Sequence, residues 1–183
     1  MRKQGRRQDL IIIALYILLP ILFLWPVTIG GQTMVPADNV FVWEPWSSYA
    51  LEAGVDTPQN DLLSDLYLEN YAWKEFISES VHNLELPLWN PYIFGGMPFL
   101  AGGQHSAMYP LSILFYVIPV AHAYGWFAAL HLALAGAFVY LFCRTLRLER
   151  GASFLGGLAF MFGGFMVIRN VFPMIIAAAV WLP

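Results

Sequence analysis

The chain of 183 residues has one cysteine, Cys143, which leaves no intrachain disulfide framework and no cysteine-built zinc or iron–sulfur site. Charge is scarce: Asp, Glu, Lys and Arg make up 11% of residues, against 59% hydrophobic and 16% aromatic. A soluble domain carries about 25% charge, so polar surface is too small to coat a globule in water, and a soluble enzyme is excluded. Disorder is excluded as well, because a chain this apolar does not stay solvated. Basic charge is missing from the middle of the chain, where Lys74 alone stands between Arg7 and Arg144. No nucleic-acid partner is expected.

What the chain does have is long apolar runs. Residues 10–29 carry no charge, and at 1.5 Å per residue they reach about 30 Å, the hydrocarbon thickness of a bilayer. The leader Arg2, Lys3, Arg6, Arg7 would suit a signal peptide, but the apolar run is too long for one and no small-residue cleavage site follows. It reads as an uncleaved first span. Residues 123–142 and 151–168 are charge-free too and read as a second and a third span. Seven of the nine basic residues lie in the tail 1–9 and the loop 143–150, and the positive-inside rule places both in the cytoplasm. Residues 30–108 then form an extracytoplasmic loop, with ten acidic residues against Lys74 up to residue 107. Residues 109–119 are apolar but too short to span, and read as a re-entrant piece or short helix. The apolar stretch 171–183 stops mid-pattern and reads as the start of a further segment, the chain being an N-terminal fragment of a longer polytopic protein. The expected class is an all-α polytopic membrane protein of a bacterial plasma membrane, with its N-terminus cytoplasmic.

The outer loop carries the pattern with most chemistry in it. Over residues 61–84, Leu62, Leu63, Leu66, Trp73, Ile77, Val81 and Leu84 fall on one helical arc and Asp61, Asp65, Glu69, Glu75 and Glu79 on the other. This predicts an amphipathic helix lying in the membrane interface. The acidic stripe suits a solvated face, yet Asp61, Asp65 and Glu69 repeat at i, i+4, i+8 with no base among them, a repulsion a divalent cation (Mg or Mn) or a cationic or hydroxyl-bearing ligand would relieve. Residues 86–110 then combine apolar character with prolines and glycines that forbid regular helix. Such backbone at membrane depth must be buried in protein or line water, so the stretch is expected to wall a cavity. Asn90, Gln104 and His105 are the polar groups there to orient a ligand. Trp89, Tyr92 and Phe94 suit the cavity or an interfacial aromatic belt. His122 and His131, at the edge and inside of the second span, must face protein. Arg169 suits either snorkelling to headgroups or pairing with phosphate.

The blocks Ser64-Asp65-Leu66, Asn70-Tyr71-Ala72-Trp73-Lys74, Leu86-Pro87-Leu88-Trp89-Asn90-Pro91-Tyr92, Phe94-Gly95-Gly96, Pro98-Phe99-Leu100-Ala101, Gly103-Gln104, Tyr109-Pro110, His131-Leu132 and Trp181-Leu182-Pro183 closely resemble the YfhO-like family of bacterial membrane proteins. The likeness runs from about Asp61 to the end. It departs at Glu69 and Ala72, where relatives often carry Gln and Pro. That family is similar to the C-type (GT-C) glycosyltransferases, which implies a GT-C-like transmembrane helix bundle with a long outer first loop containing amphipathic interfacial helices. The resemblance further implies transfer of a sugar from a polyprenyl-phosphate carrier to an extracytoplasmic glycan or other acceptor, in many members with a divalent metal. Asp65 matches the family's acidic position and is the first candidate for the catalytic carboxylate, the base near the acceptor hydroxyl or the holder of a metal; Asp38, nearer the first span, competes with it. Arg169 would neutralise phosphate, and Trp89 would stack on a sugar or hold the loop. The alternatives are a non-catalytic binder or transporter of a lipid-linked glycan, and a membrane assembly subunit.

Overall fold

The computed structural model describes residues 2–56 and 60–183; the side chains of residues 2–4 and of Asp61 lie outside the described residues. The chain is mostly helical, and a small sheet pairs β1 (Trp89–Asn90) with β2 (Met97–Pro98), antiparallel, Trp89 opposite Pro98 and Asn90 opposite Met97. Two compact units form, one from residues 1–32 with 124–183, the other from residues 33–123.

The first unit contains α1 (Arg2–Phe23), α2 (Trp25–Thr28), most of α5 (Val120–Thr145), α6 (Arg150–Met161), α7 (Gly164–Arg169) and α8 (Pro173–Ala179). Among the described residues, two helical stretches are long and apolar enough to cross a membrane, Val120–Thr145 and Arg150–Arg169. The expected span over 10–29 is divided instead: α1 ends at Phe23, and Pro26, which cannot donate a backbone hydrogen bond, sits in the next turn. The Thr28 hydroxyl donates to the carbonyls of Ile21 and Leu24, each at 3.0 Å, satisfying acceptors near the break. Arg150–Arg169 is likewise interrupted, at Phe162 and Gly163 between α6 and α7.

Small residues let α1, α5 and α6 approach. Tyr16 of α1 is fully buried and donates to the Phe154 carbonyl at 2.9 Å. A Cβ at Gly136 would come 2.6 Å from its ring, and one at Gly157 would meet the Tyr16 hydroxyl and the Gly136 carbonyl. Close backbone approach over glycine is how apolar helices associate where hydrophobicity gives no drive. At one end of this packing, Asp9 accepts from Arg150 Nε at 2.8 Å and from the Tyr140 hydroxyl at 2.6 Å.

The second unit holds the amphipathic segment, in a form the 3.6-residue period does not predict. Asp61–Leu63 is a 3-10 turn, Leu66–Tyr71 a π-helical stretch, and α3 covers only Ala72–His82. The wide π turn changes the angular register, so the two halves of the predicted arc no longer align. Leu66 and Ile77 are buried as the pattern requires, whereas Leu62 is exposed. The helix stops before Leu84, which takes φ 59° and stands fully exposed instead of on the apolar face. Residues 109–119 form a 3-10 turn, Pro110–Ile113, and α4 (Leu114–Val117).

Candidate functional site

Successive residues Leu66, Asn70, Lys74 and Ile77 make the buried face of the π turn and α3. Lys74 is only 1% exposed. Its Nζ donates to the His105 carbonyl at 2.7 Å and lies 4.5 Å from the centre of the Phe115 ring. Among the described residues the one ion pair is Arg150 with Asp9, so a carbonyl and an aromatic face, not a carboxylate, receive this ammonium. Burial pushes Lys74 down to about 8.

The carbonyl that Lys74 holds belongs to a tightly tied loop. His105 is buried; its Nδ1 accepts from the Ala107 N–H at 3.1 Å, which assigns the proton to Nε2, the donor to the Phe99 carbonyl at 2.9 Å. The imidazole also stacks on the Phe99 ring at 4.2 Å. Burial, above all, holds its pKa below the ordinary imidazole value. Ser112 and Tyr116 donate to the carbonyls of Ser106 and Ala107, at 2.8 and 2.7 Å. Phe99, Ala107 and Ile77 form a small core to which Trp73, Phe76 and Tyr116 add.

Between this loop, the β1–β2 hairpin and the start of α3 lies a cavity of about 400 Å³. Trp73, Ile93, Phe94, Met97 and Phe99 supply its apolar wall; Glu69, Gln104 and His105 bring the polar groups. Clefts of this size with few polar groups among aromatic side chains are typical small-molecule sites.

The residues singled out from sequence divide around it. Glu69, Gln104 and His105 come together at the cavity, His105 with both ring nitrogens already engaged. Asp65 is exposed and precedes the π turn; the cavity wall does not include it. Asp38 is half-buried on the 3-10 turn Ala37–Val42, which packs against Leu66–Tyr71. Trp89 covers Gly96, where a Cβ would stand 2.7 Å from the indole Nε1. Asn90 is buried and its Oδ1 accepts from the Tyr92 N–H at 2.9 Å, closing the hairpin turn. Arg169 ends α7 in the other unit and is exposed; His131 is buried there with Nδ1 donating to the Phe127 carbonyl, 2.7 Å away. Among the described residues, no group of three His, Cys, Asp or Glu side chains converges as a cation site.

Sequence reasoning did not single out Lys74, whose signal was its isolation: the one base of the outer segment, four residues after Asn70 and three before Ile77. It also missed a groove of about 390 Å³ on the far side of α3, where Tyr71, Glu75, Ser78 and His82 face residues 116–121. There burial, then the Glu75 carboxylate beside it, push Tyr71 up to about 12, and His82 Nδ1 donates to the Ser78 carbonyl at 2.7 Å.

No protein-family model, no curated protein and no solved structure matches the chain.

Proposed function

We propose that the protein is a multi-pass membrane protein of a bacterial plasma membrane, N-terminus in the cytoplasm, that transfers a sugar from a polyprenyl-phosphate carrier to an extracytoplasmic acceptor. The cavity of residues 33–123 carries this reading. A sugar ring offers C–H faces to aromatic walls and hydroxyls to polar groups, and Trp73 and Phe99 beside Glu69 and Gln104 provide both kinds of partner. The likeness of residues 61–183 to YfhO-like proteins supports the same reading.

In the proposed step the acceptor hydroxyl oxygen attacks the anomeric carbon, the bond from that carbon to the phosphate oxygen breaks, and its electron pair leaves with the carrier phosphate. Glu69, the carboxylate in the cavity wall, takes the hydroxyl proton as the new bond forms. Gln104 orients sugar hydroxyls, and the apolar wall packs against the C–H faces of the ring. Asp65 and Glu69 are hard oxygen donors of the kind Mg or Mn accepts. Both are exposed; the side chain of Asp61, the third member of the stripe, lies outside the described residues, and the proposed step runs through protein groups alone.

The test is turnover of labelled polyprenyl-phosphate sugar by the full-length protein in proteoliposomes, wild type against Glu69→Gln, Asp65→Asn and Asp38→Asn. Loss of a proton acceptor is expected to cost Glu69→Gln about 100-fold or more while carrier binding persists. Loss confined to Asp65→Asn or Asp38→Asn would move the proton acceptor to that residue. One observation favours a second reading, a non-catalytic binder of lipid-linked glycan: the cavity wall holds a single carboxylate, and its histidine has both nitrogens engaged. Carrier binding without turnover by the wild type would establish that alternative.

A further inference from the structure

The hairpin that borders the cavity holds a strained aromatic in the open. Phe94 is 93% exposed yet sits at φ 53°, followed by Gly95 at 74° and Gly96 at 116°. A left-handed conformation is unfavourable for a bulky residue and persists only where the surroundings impose it. Here they do: β1 pairs with β2, the Trp89 indole covers Gly96, the Gly96 N–H bonds the Ile93 carbonyl at 2.8 Å, and Asn90 caps Tyr92. The frame is ordered, and what it presents is Tyr92, 77% exposed, and Phe94. Phe94 is also a wall residue of the cavity, so the exposed ring stands at its mouth.

We propose that the 92–94 tip inserts into the bilayer interface and turns the mouth of the cavity toward lipid, so that its ligand arrives along the membrane. This rests on reading the chain as a membrane protein and names the source of the ligand of the proposed site. Lipid is the occupant the chemistry fits. No Asp, Glu, Lys or Arg occurs from Leu86 to Cys143, a stretch that includes the tip and most of α5, and the candidate span α5 begins at Val120 in the same unit as the tip. A protein interface carries a polar rim with directional bonds. The Asn90 side chain is instead turned back onto the tip's own backbone, and aromatic rings without charge beside them are what membrane interfaces accept.

The test is site-directed spin labelling of the full chain in phosphatidylcholine/phosphatidylglycerol nanodiscs. Phe94→Cys and, separately, Tyr92→Cys are labelled in a Cys143→Ser background, with Glu52→Cys, at an exposed position, as the control. Labels at 94 and 92 are expected to collide with oxygen severalfold more often than with a water-soluble nickel chelate, and the control to show the reverse. Nickel access at 92 and 94 equal to the control would overturn the inference. So would protection from both probes, the mark of coverage by protein or by a second copy. Both tip residues are exposed, and circular dichroism verifies that each variant folds. The readout is independent of turnover: lipid-facing labels on an inactive protein would support this inference and refute only the transfer reaction.

Discussion

Lys74→Met tests the most unusual electrostatic feature of the second unit. A buried lysine lowered from 10.5 to about 8 has its charged form disfavoured by about 3 kcal/mol. Methionine fills similar volume without that cost and forfeits the bond to the His105 carbonyl, worth about 1–3 kcal/mol for a charged donor. At pH 7 the two effects nearly cancel, whereas Lys74→Ala, which also opens a cavity, is expected to lose about 2–5 kcal/mol. The diagnostic is the dependence on pH. Between about 8, the folded value, and about 10.4, the unfolded one, the unfolded chain binds more protons, so wild-type stability rises with pH by up to about 3 kcal/mol. Lys74→Met lacks that rise. Tyr71, pushed up to about 12, acts in the opposite sense, since unfolded tyrosine ionises first, from about pH 10. It does so in both proteins and drops out of the difference. Thermal unfolding in micelles from pH 7 to 10, followed by tryptophan fluorescence, measures this; parallel curves for wild type and Lys74→Met would refute a lysine held without a carboxylate.

His105→Phe keeps the stack on Phe99 and removes two ring hydrogen bonds; it should cost about 1–3 kcal/mol in the same unfolding assay. Because burial lowers the folded His105 pKa, wild-type stability should also fall as pH drops below about 6.5, a decline reduced in His105→Phe. Gly157→Ala drives a methyl group into the Tyr16 hydroxyl and the Gly136 carbonyl and should cost about 1–3 kcal/mol, read as a lower unfolding temperature. Gly96→Ala meets both φ 116° and the Trp89 indole; faster proteolysis within residues 92–96, with helix content unchanged, is the expected result.

How much was legible follows from how local each determinant is. The run 123–142 lies inside α5, Val120–Thr145, because a charge-free stretch between charged or proline-bearing flanks has few ways to fold. The irregular character of residues 86–110 was written in its prolines and glycines, and it is built of a hairpin and short turns. The helix over 61–84 was legible only from Ala72 to His82: no periodicity argument anticipates a π turn, and the arc drawn through it placed Leu62 and Leu84 on a face they do not occupy. The first span was legible in its apolar composition but not in its division: α1 ends at Phe23, and Pro26, one donor short, lies in the separate short helix that follows. At the cavity, Glu69, Gln104 and His105 were each singled out, but their meeting is a tertiary event that no spacing within one segment encodes. Lys74 escaped because a lysine is assigned to solvent by default.

The cavity with Glu69 and Trp73 and the groove with Glu75 and His82 open on opposite sides of one rod, the π turn running into α3. That rod is about 10 Å thick, side chains included. It is therefore a party wall, pinned through its hidden lysine to the backbone of the loop that floors one of the rooms. Widening one room by tilting the wall narrows the other, so the two volumes are linked by geometry before any chemistry takes place in either.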